Sequence, residues 1–106
     1  MRLNRDSALT FSDIQSLTAP ACKDFGVRRL DLFGSYANGA ADANSDLDFL
    51  VEFDDPNMHA AKRFFGLLHF LEDTFQRPVD LLTPASLRNP FLREKIMAER
   101  KALYGE

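Results

Sequence analysis

The stretch Leu30–Phe53, LDLFGSYANGAADANSDLDFLVEF, decides the fold. An apolar run through Leu30, Leu32 and Phe33 stops at Gly34-Ser35, and a loop of small and polar residues follows. A second apolar run then opens with Asp46-Leu47-Asp48 and continues as Phe49-Leu50-Val51. This is strand, turn, loop, strand. Residues i and i+2 on a strand point to the same face, so Asp46 and Asp48 project side by side with Leu47 turned the other way. An isolated Asp-x-Asp pair is more often a solvated strand end. Two carboxylates held this close repel each other unless positive charge separates them. A divalent cation is the usual answer, and ligands that are all oxygen favour Mg²⁺ or Mn²⁺ over zinc or copper.

The neighbouring residues shift the balance toward a site. Gly34 at the end of a strand lets backbone approach a ligand closely. Ser35 adds a hydroxyl, and a helix beginning there would offer its first N–H groups to an anion. A third carboxylate, Asp80, is the single charge of Pro78-Val79-Asp80-Leu81-Leu82-Thr83, a short strand pattern after a helix. A lone Asp in such a run usually marks a turn or an edge facing water. Were this strand to lie beside the Asp46–Asp48 strand, Asp80 would complete a cluster able to hold two metal ions and accept a proton from an attacking hydroxyl.

Gly34-Ser35, nine intervening residues, Ser45-Asp46-Leu47-Asp48 and the later Asp80 on its own strand resemble the DNA polymerase β-type nucleotidyltransferase superfamily. The closest likeness is to its smallest members, the minimal nucleotidyltransferases (MNT). The resemblance runs from about Thr10 to Tyr104. It implies transfer of a nucleoside monophosphate from a triphosphate, expected to be ATP, to a hydroxyl. Carried over residue by residue, it makes Asp46, Asp48 and Asp80 the metal-binding and catalytic set, with two Mg²⁺ ions (Mn²⁺ as an alternative). It makes Gly34, Ser35 and Ser45 nucleotide-binding. One position departs from the family pattern: many minimal members carry Arg immediately before the second loop glycine, where this chain has Asn38 before Gly39. Arg28, Arg29, Lys62 and Arg63 are candidates to replace that phosphate contact, although each reads most simply as a surface charge.

The resemblance further implies a partner. Minimal members often accompany a helical HEPN ribonuclease toxin and act as its antitoxin, some by transferring AMP to a tyrosine hydroxyl. A hetero-oligomer with such a toxin is therefore expected. An antitoxin acting by binding alone is the alternative, and a transferase for an aminoglycoside-like small molecule is a third. A length of 106 residues suits one domain, residues 10–106, behind a loose segment 1–9. It leaves no residues for the helical domain of larger members, so a second molecule is expected to close the site. A net charge of −3 and a pI near 5.3 argue against direct nucleic-acid binding. No long apolar run or signal-peptide pattern is present, which predicts no membrane contact. A single cysteine, Cys22, fits a reducing cytoplasm.

The expected fold is α/β (α+β), a small mixed β-sheet with helices packed on one face, the polymerase β-like nucleotidyltransferase fold. Thr10 with Asp13 forms a capping box at the head of a first helix, in which Pro20 predicts a kink or break and Gly26 the stop. A central helix over about 59–76 places Ala61, Phe64, Leu67, Leu68, Leu71 and Phe75 on one stripe. Phe65 and Phe70 flank it. Either the buried face is broad, the simpler reading, or one of them belongs to a partner surface. A last helix spans about 89–103, with the residues through Tyr104 as an alternative edge strand. Cys22 reads as a small buried residue, and His59 and His69 as structural or surface residues.

Overall fold

The computed structural model describes residues 9–38 and 46–105. Thr10 opens the first helix, α1 (Phe11–Asp24): its hydroxyl accepts from the Asp13 N–H at 3.0 Å while its own N–H donates to the Asp13 carboxylate at 3.1 Å. The predicted capping box is formed. Pro20 does not interrupt the helix. Its missing N–H lies on the solvent side, where Pro20 is exposed, while Ile14, Thr18, Ala21 and Cys22 hold the opposite side in the core.

Gly26, at φ +66°, turns the chain into β1 (Val27–Phe33). A four-residue helix α2 (Ser35–Asn38) follows, then β2 (Leu47–Phe53), α3 (Ala60–Phe75) and β3 (Val79–Leu82). A 3₁₀ turn at Pro84–Ser86 leads to α4 (Pro90–Glu99) and β4 (Lys101–Tyr104). The sheet order is β3-β2-β1-β4. β1 runs antiparallel to both β2 and β4, and β2 and β3 are parallel, joined by α3 as the crossover. The sheet is mixed, as expected.

The strand period sorts the core. Leu47, Phe49 and Val51 share one face with Leu30, Leu32, Val79 and Leu81, and meet α1 and the Leu67-Leu71-Phe75 stripe of α3. Phe49 and Phe75 stack with ring centroids 6.3 Å apart. Phe70 packs against this core, but Phe65 is 54% exposed, so the broad buried face stops short of it. The alternate residues of β2, Asp48, Leu50 and Glu52, face the other side. There Leu50, Leu87 and Ile96 form a smaller cluster under α4. Cys22 is buried, which pushes its thiol pKa up to about 11 and keeps it protonated. Of the expected loose segment, Met1–Ala8 lies outside the described residues, and Leu9 packs into the core.

The last helix ends earlier than its periodicity suggests. α4 stops at Glu99, and Lys101–Tyr104 forms the edge strand, burying Leu103 in the core. Asp31, only 1% exposed, fixes this turn. Arg29 Nε donates to both of its oxygens at 2.9 Å, and Arg100, the residue between α4 and β4, donates at 3.3 Å. Replacing one partner of such a cluster strands the others. Asp31→Ala is expected to cost about 3 kcal/mol, the low end for a broken buried pair because both guanidiniums keep some solvent. Arg100→Ala should cost less. Urea unfolding of the two variants checks the order.

Candidate functional site

The parallel ladder between β2 and β3 pairs Asp48 directly with Asp80. Strands lie about 4.8 Å apart, so the two carboxylates occupy neighbouring positions on one face. The Asp80 carboxylate lies close enough to act on Asp48 both as a hydrogen-bond partner and as a like charge. Asp46 stands exposed just before β2, near enough for its charge to act on Asp48. Burial, then the Asp80 hydrogen bond, then repulsion from Asp80 and Asp46 push the Asp48 pKa up to about 6.

Gly34 joins the two halves of the motif. It adopts φ +75°, and a Cβ built there would overlap the Asp48 carboxylate. The glycine is needed both for its left-handed backbone and for the space its missing side chain leaves. Ser35 begins α2 and is half-buried, and the Ala37 N–H closes the turn onto the Gly34 carbonyl at 3.1 Å. The structure thus places Gly34, Ser35, Asp46, Asp48 and Asp80 at strand ends or in the adjoining turn. Ser45 and Gly39, with most of the loop that follows α2, lie outside the described residues.

The donor set suits a divalent cation in chemistry: oxygen-only, anionic and mutually repelling. Among the described residues no three acidic, imidazole or thiol groups converge into a finished cation centre. Asp48 and Asp80 form a two-carboxylate core with Asp46 at its edge. His59 and His69 are not part of this cluster: His59 is the exposed N-cap of α3, and His69, on α3, faces Glu72 at 3.9 Å.

The four basic candidates do not surround the carboxylates. Arg29 is committed to Asp31. Arg63 donates to the Gly26 and Asp55 carbonyls and lies over the Phe53 ring. Lys62 is exposed in the first turn of α3. Arg28 lines a groove of about 680 Å³ with Phe53, Ala60, Phe64, Phe65 and Pro84, at the opposite end of β2. The sequence reading missed a different arginine. Arg77, 8% exposed, donates through Nη1 to the Tyr36 hydroxyl and through Nε to the Phe75 carbonyl at 3.3 Å. Its signal in the sequence was slight: one charge between a helix end and Pro78.

A strand-borne carboxylate pair beside a Gly-Ser turn, on a four-stranded mixed sheet, defines a phosphoryl-transfer type of enzyme. The chain belongs to the nucleotidyltransferase domain family, whose profile matches residues 17–103. It is 35% identical over 85 residues to the protein adenylyltransferase MntA of Thermococcus cleftensis, covering 76% of this chain and 84% of that one. A solved structure provisionally described as a minimal nucleotidyltransferase superposes at TM-score 0.71 with 28% identity, covering 90% of this chain and 97% of the other. The fold also recurs in a chain of the solved complex between a tri-AMPylated Shewanella oneidensis HEPN toxin and its MNT antitoxin, at TM-score 0.61 and 19% identity, covering 92% of this chain and 74% of that one. Relatives and fold agree with the resemblance read from the motif, and no helix among the described residues is long and apolar enough to cross a membrane.

Two outcomes follow from the geometry. The folded state favours protonated Asp48, so it binds more protons than the unfolded chain between about pH 4 and pH 6. Stability contributed by this group is complete below about pH 4 and is lost as pH rises through about 6. Without divalent cations, Asp48→Asn should therefore be more stable than the parent at pH 8, and the difference should vanish near pH 4. Thermal melts in chelator across this range test it. Gly34→Ala should lose at least about 1–2 kcal/mol from the left-handed backbone alone. The clash with Asp48 adds to this, and a denaturation curve reads the sum.

Proposed function

We propose that this chain transfers AMP from ATP to a hydroxyl, expected to be a tyrosine, on a helical HEPN-type toxin, and so acts as its antitoxin. The observation that carries the reading is the Asp48–Asp80 register with Gly34 against Asp48. It gathers a carboxylate cluster and a Gly-Ser turn at one end of the sheet. The protein adenylyltransferase name of the Thermococcus relative and the AMPylated toxin in the Shewanella complex support the choice of AMP and of a protein acceptor.

In this reading Gly34 and Ser35, with Ser45, hold the triphosphate through backbone and hydroxyl donors. Asp46, Asp48 and Asp80 would hold Mg²⁺, two ions or Mn²⁺ in its place, supplying the positive charge that offsets the attacking and leaving oxygens. Asp80, exposed at the edge of the pair, accepts the proton of the acceptor hydroxyl. The acceptor oxygen forms a bond to the α-phosphorus, the bridging P–O bond breaks, and pyrophosphate leaves. Asp48 sits deeper and holds the cluster in register with the turn.

A binding-only antitoxin is the second reading, favoured by Asn38 in place of the family arginine. Intact mass of the helical partner after incubation with this chain, ATP and Mg²⁺ separates the two. Whole AMP increments, absent with Asp46→Ala/Asp48→Ala, are expected. A stable complex without mass change would leave binding alone. Asp80→Asn should slow transfer by about 10²–10⁴-fold, and unchanged turnover would remove Asp80 from the proton step.

A further inference from the structure

Arg77 sits behind the Gly34–Ser35 turn in an environment that ordinarily excludes a cation. It is 8% exposed and forms no ion pair with a carboxylate among the described residues. Its Nη1 donates to the Tyr36 hydroxyl, and its guanidinium carbon lies 5.8 Å from the centroid of the Tyr36 ring. Its Nε reaches the Phe75 carbonyl, and its Nη2 is buried without a hydrogen-bond partner among the described residues. A buried guanidinium with a donor unanswered and no counter-charge among the described residues is costly in a fold, and such a group needs a reason.

The placement supplies one. Tyr36 is the residue after Ser35, on the first turn of α2, so whatever fixes its ring fixes the turn that begins at Gly34. Arg77 is three residues before Asp80, so the same side chain is anchored at the head of β3. One guanidinium therefore ties the turn on one strand to the carboxylate strand two places away in the sheet. Positive charge is thus present behind the turn in a chain that has Asn38 where many minimal members carry arginine.

We propose that Arg77, acting through Tyr36, is the positioning residue of the triphosphate turn, and that its charge, which meets no carboxylate among the described residues, favours the anionic nucleotide in a chain whose loop carries Asn38. This rests on the nucleotidyltransferase reading above. It assigns Arg77 no contact with the reacting atoms. A side chain that only stabilised the core would change melting and leave nucleotide affinity alone.

The test measures binding rather than turnover. AMP-PNP with Mg²⁺ is titrated calorimetrically into the full chain, Tyr36→Phe, Arg77→Met and the double variant, and amide exchange is followed over residues 34–37. Tyr36→Phe removes one oxygen and should fold as the parent does. Each single change is expected to weaken AMP-PNP binding about 10- to 100-fold, the range set by a hydrogen bond to a charged group. The double variant should bind no worse than Arg77→Met, because both changes cut one connection. Exchange over residues 34–37 should quicken in all three. Parent-like affinity and exchange in Tyr36→Phe would overturn the proposal, as would losses that add in the double variant. If Arg77→Met fails to fold, Tyr36→Phe decides alone. A parent chain that binds no nucleoside triphosphate would remove the nucleotidyltransferase reading and this inference together. A parent that binds, with variants that bind equally, would remove this inference only.

Discussion

Two like charges on adjacent strands constrain everything else in this molecule. Asp48 and Asp80 face each other because β2 and β3 are parallel and in that register. A parallel pair cannot be made by a hairpin and requires a crossover, here α3. The crossover is held by the opposite face of the sheet, where Leu47, Phe49 and Val51 pack on Leu67, Leu71 and Phe75. Apolar burial on one side of the sheet thus maintains carboxylate repulsion on the other. Hydrophobic attraction has no direction and is large when summed, and the repulsion is local and modest because Asp46 and Asp80 remain exposed. The balance also explains the glycine: with Asp48 fixed by β2, the backbone of the neighbouring turn must pass where any Cβ would collide.

Features set by local sequence were legible before the structure. The Thr10 capping box, the two strands of the LFGS–SDLDFLVEF segment and the α3 stripe follow from hydrogen bonding and periodicity within a few residues. The neighbouring placement of Asp48 and Asp80 was legible because Asp80 stands alone in an apolar strand pattern, so a strand pairing with β2 could set the two side by side. What escaped depends on distant partners. Asp31 reads as one polar residue in a strand, yet it is buried because Arg29 and Arg100 converge on it, the latter 69 residues away. The end of α4 was overestimated for the same reason: helical periodicity continues past Glu99, but strand pairing with β1 and burial of Leu103 override it. Pro20 is a further local signal that did not hold as a break, since α1 continues through it to Asp24.

The arginines show how a chain of net charge −3 arranges positive charge around an acidic site. Arg29 and Arg100 answer Asp31, Arg63 fastens the turn after β2, and Arg77 holds Tyr36. Among the described residues no basic side chain pairs with Asp46, Asp48 or Asp80. Had one done so, it would have neutralised the carboxylates, pulled the Asp48 pKa down rather than up, and competed with a cation for the same oxygens. Committing Arg29, Arg63, Arg77 and Arg100 to other partners leaves the carboxylates without a basic partner among the described residues, while Arg77 keeps positive charge behind the turn where anionic phosphates would lie. In the proposed reading the acidic face and the positively backed turn are complementary: the first would attract a metal ion, and the second the phosphates that the ion accompanies.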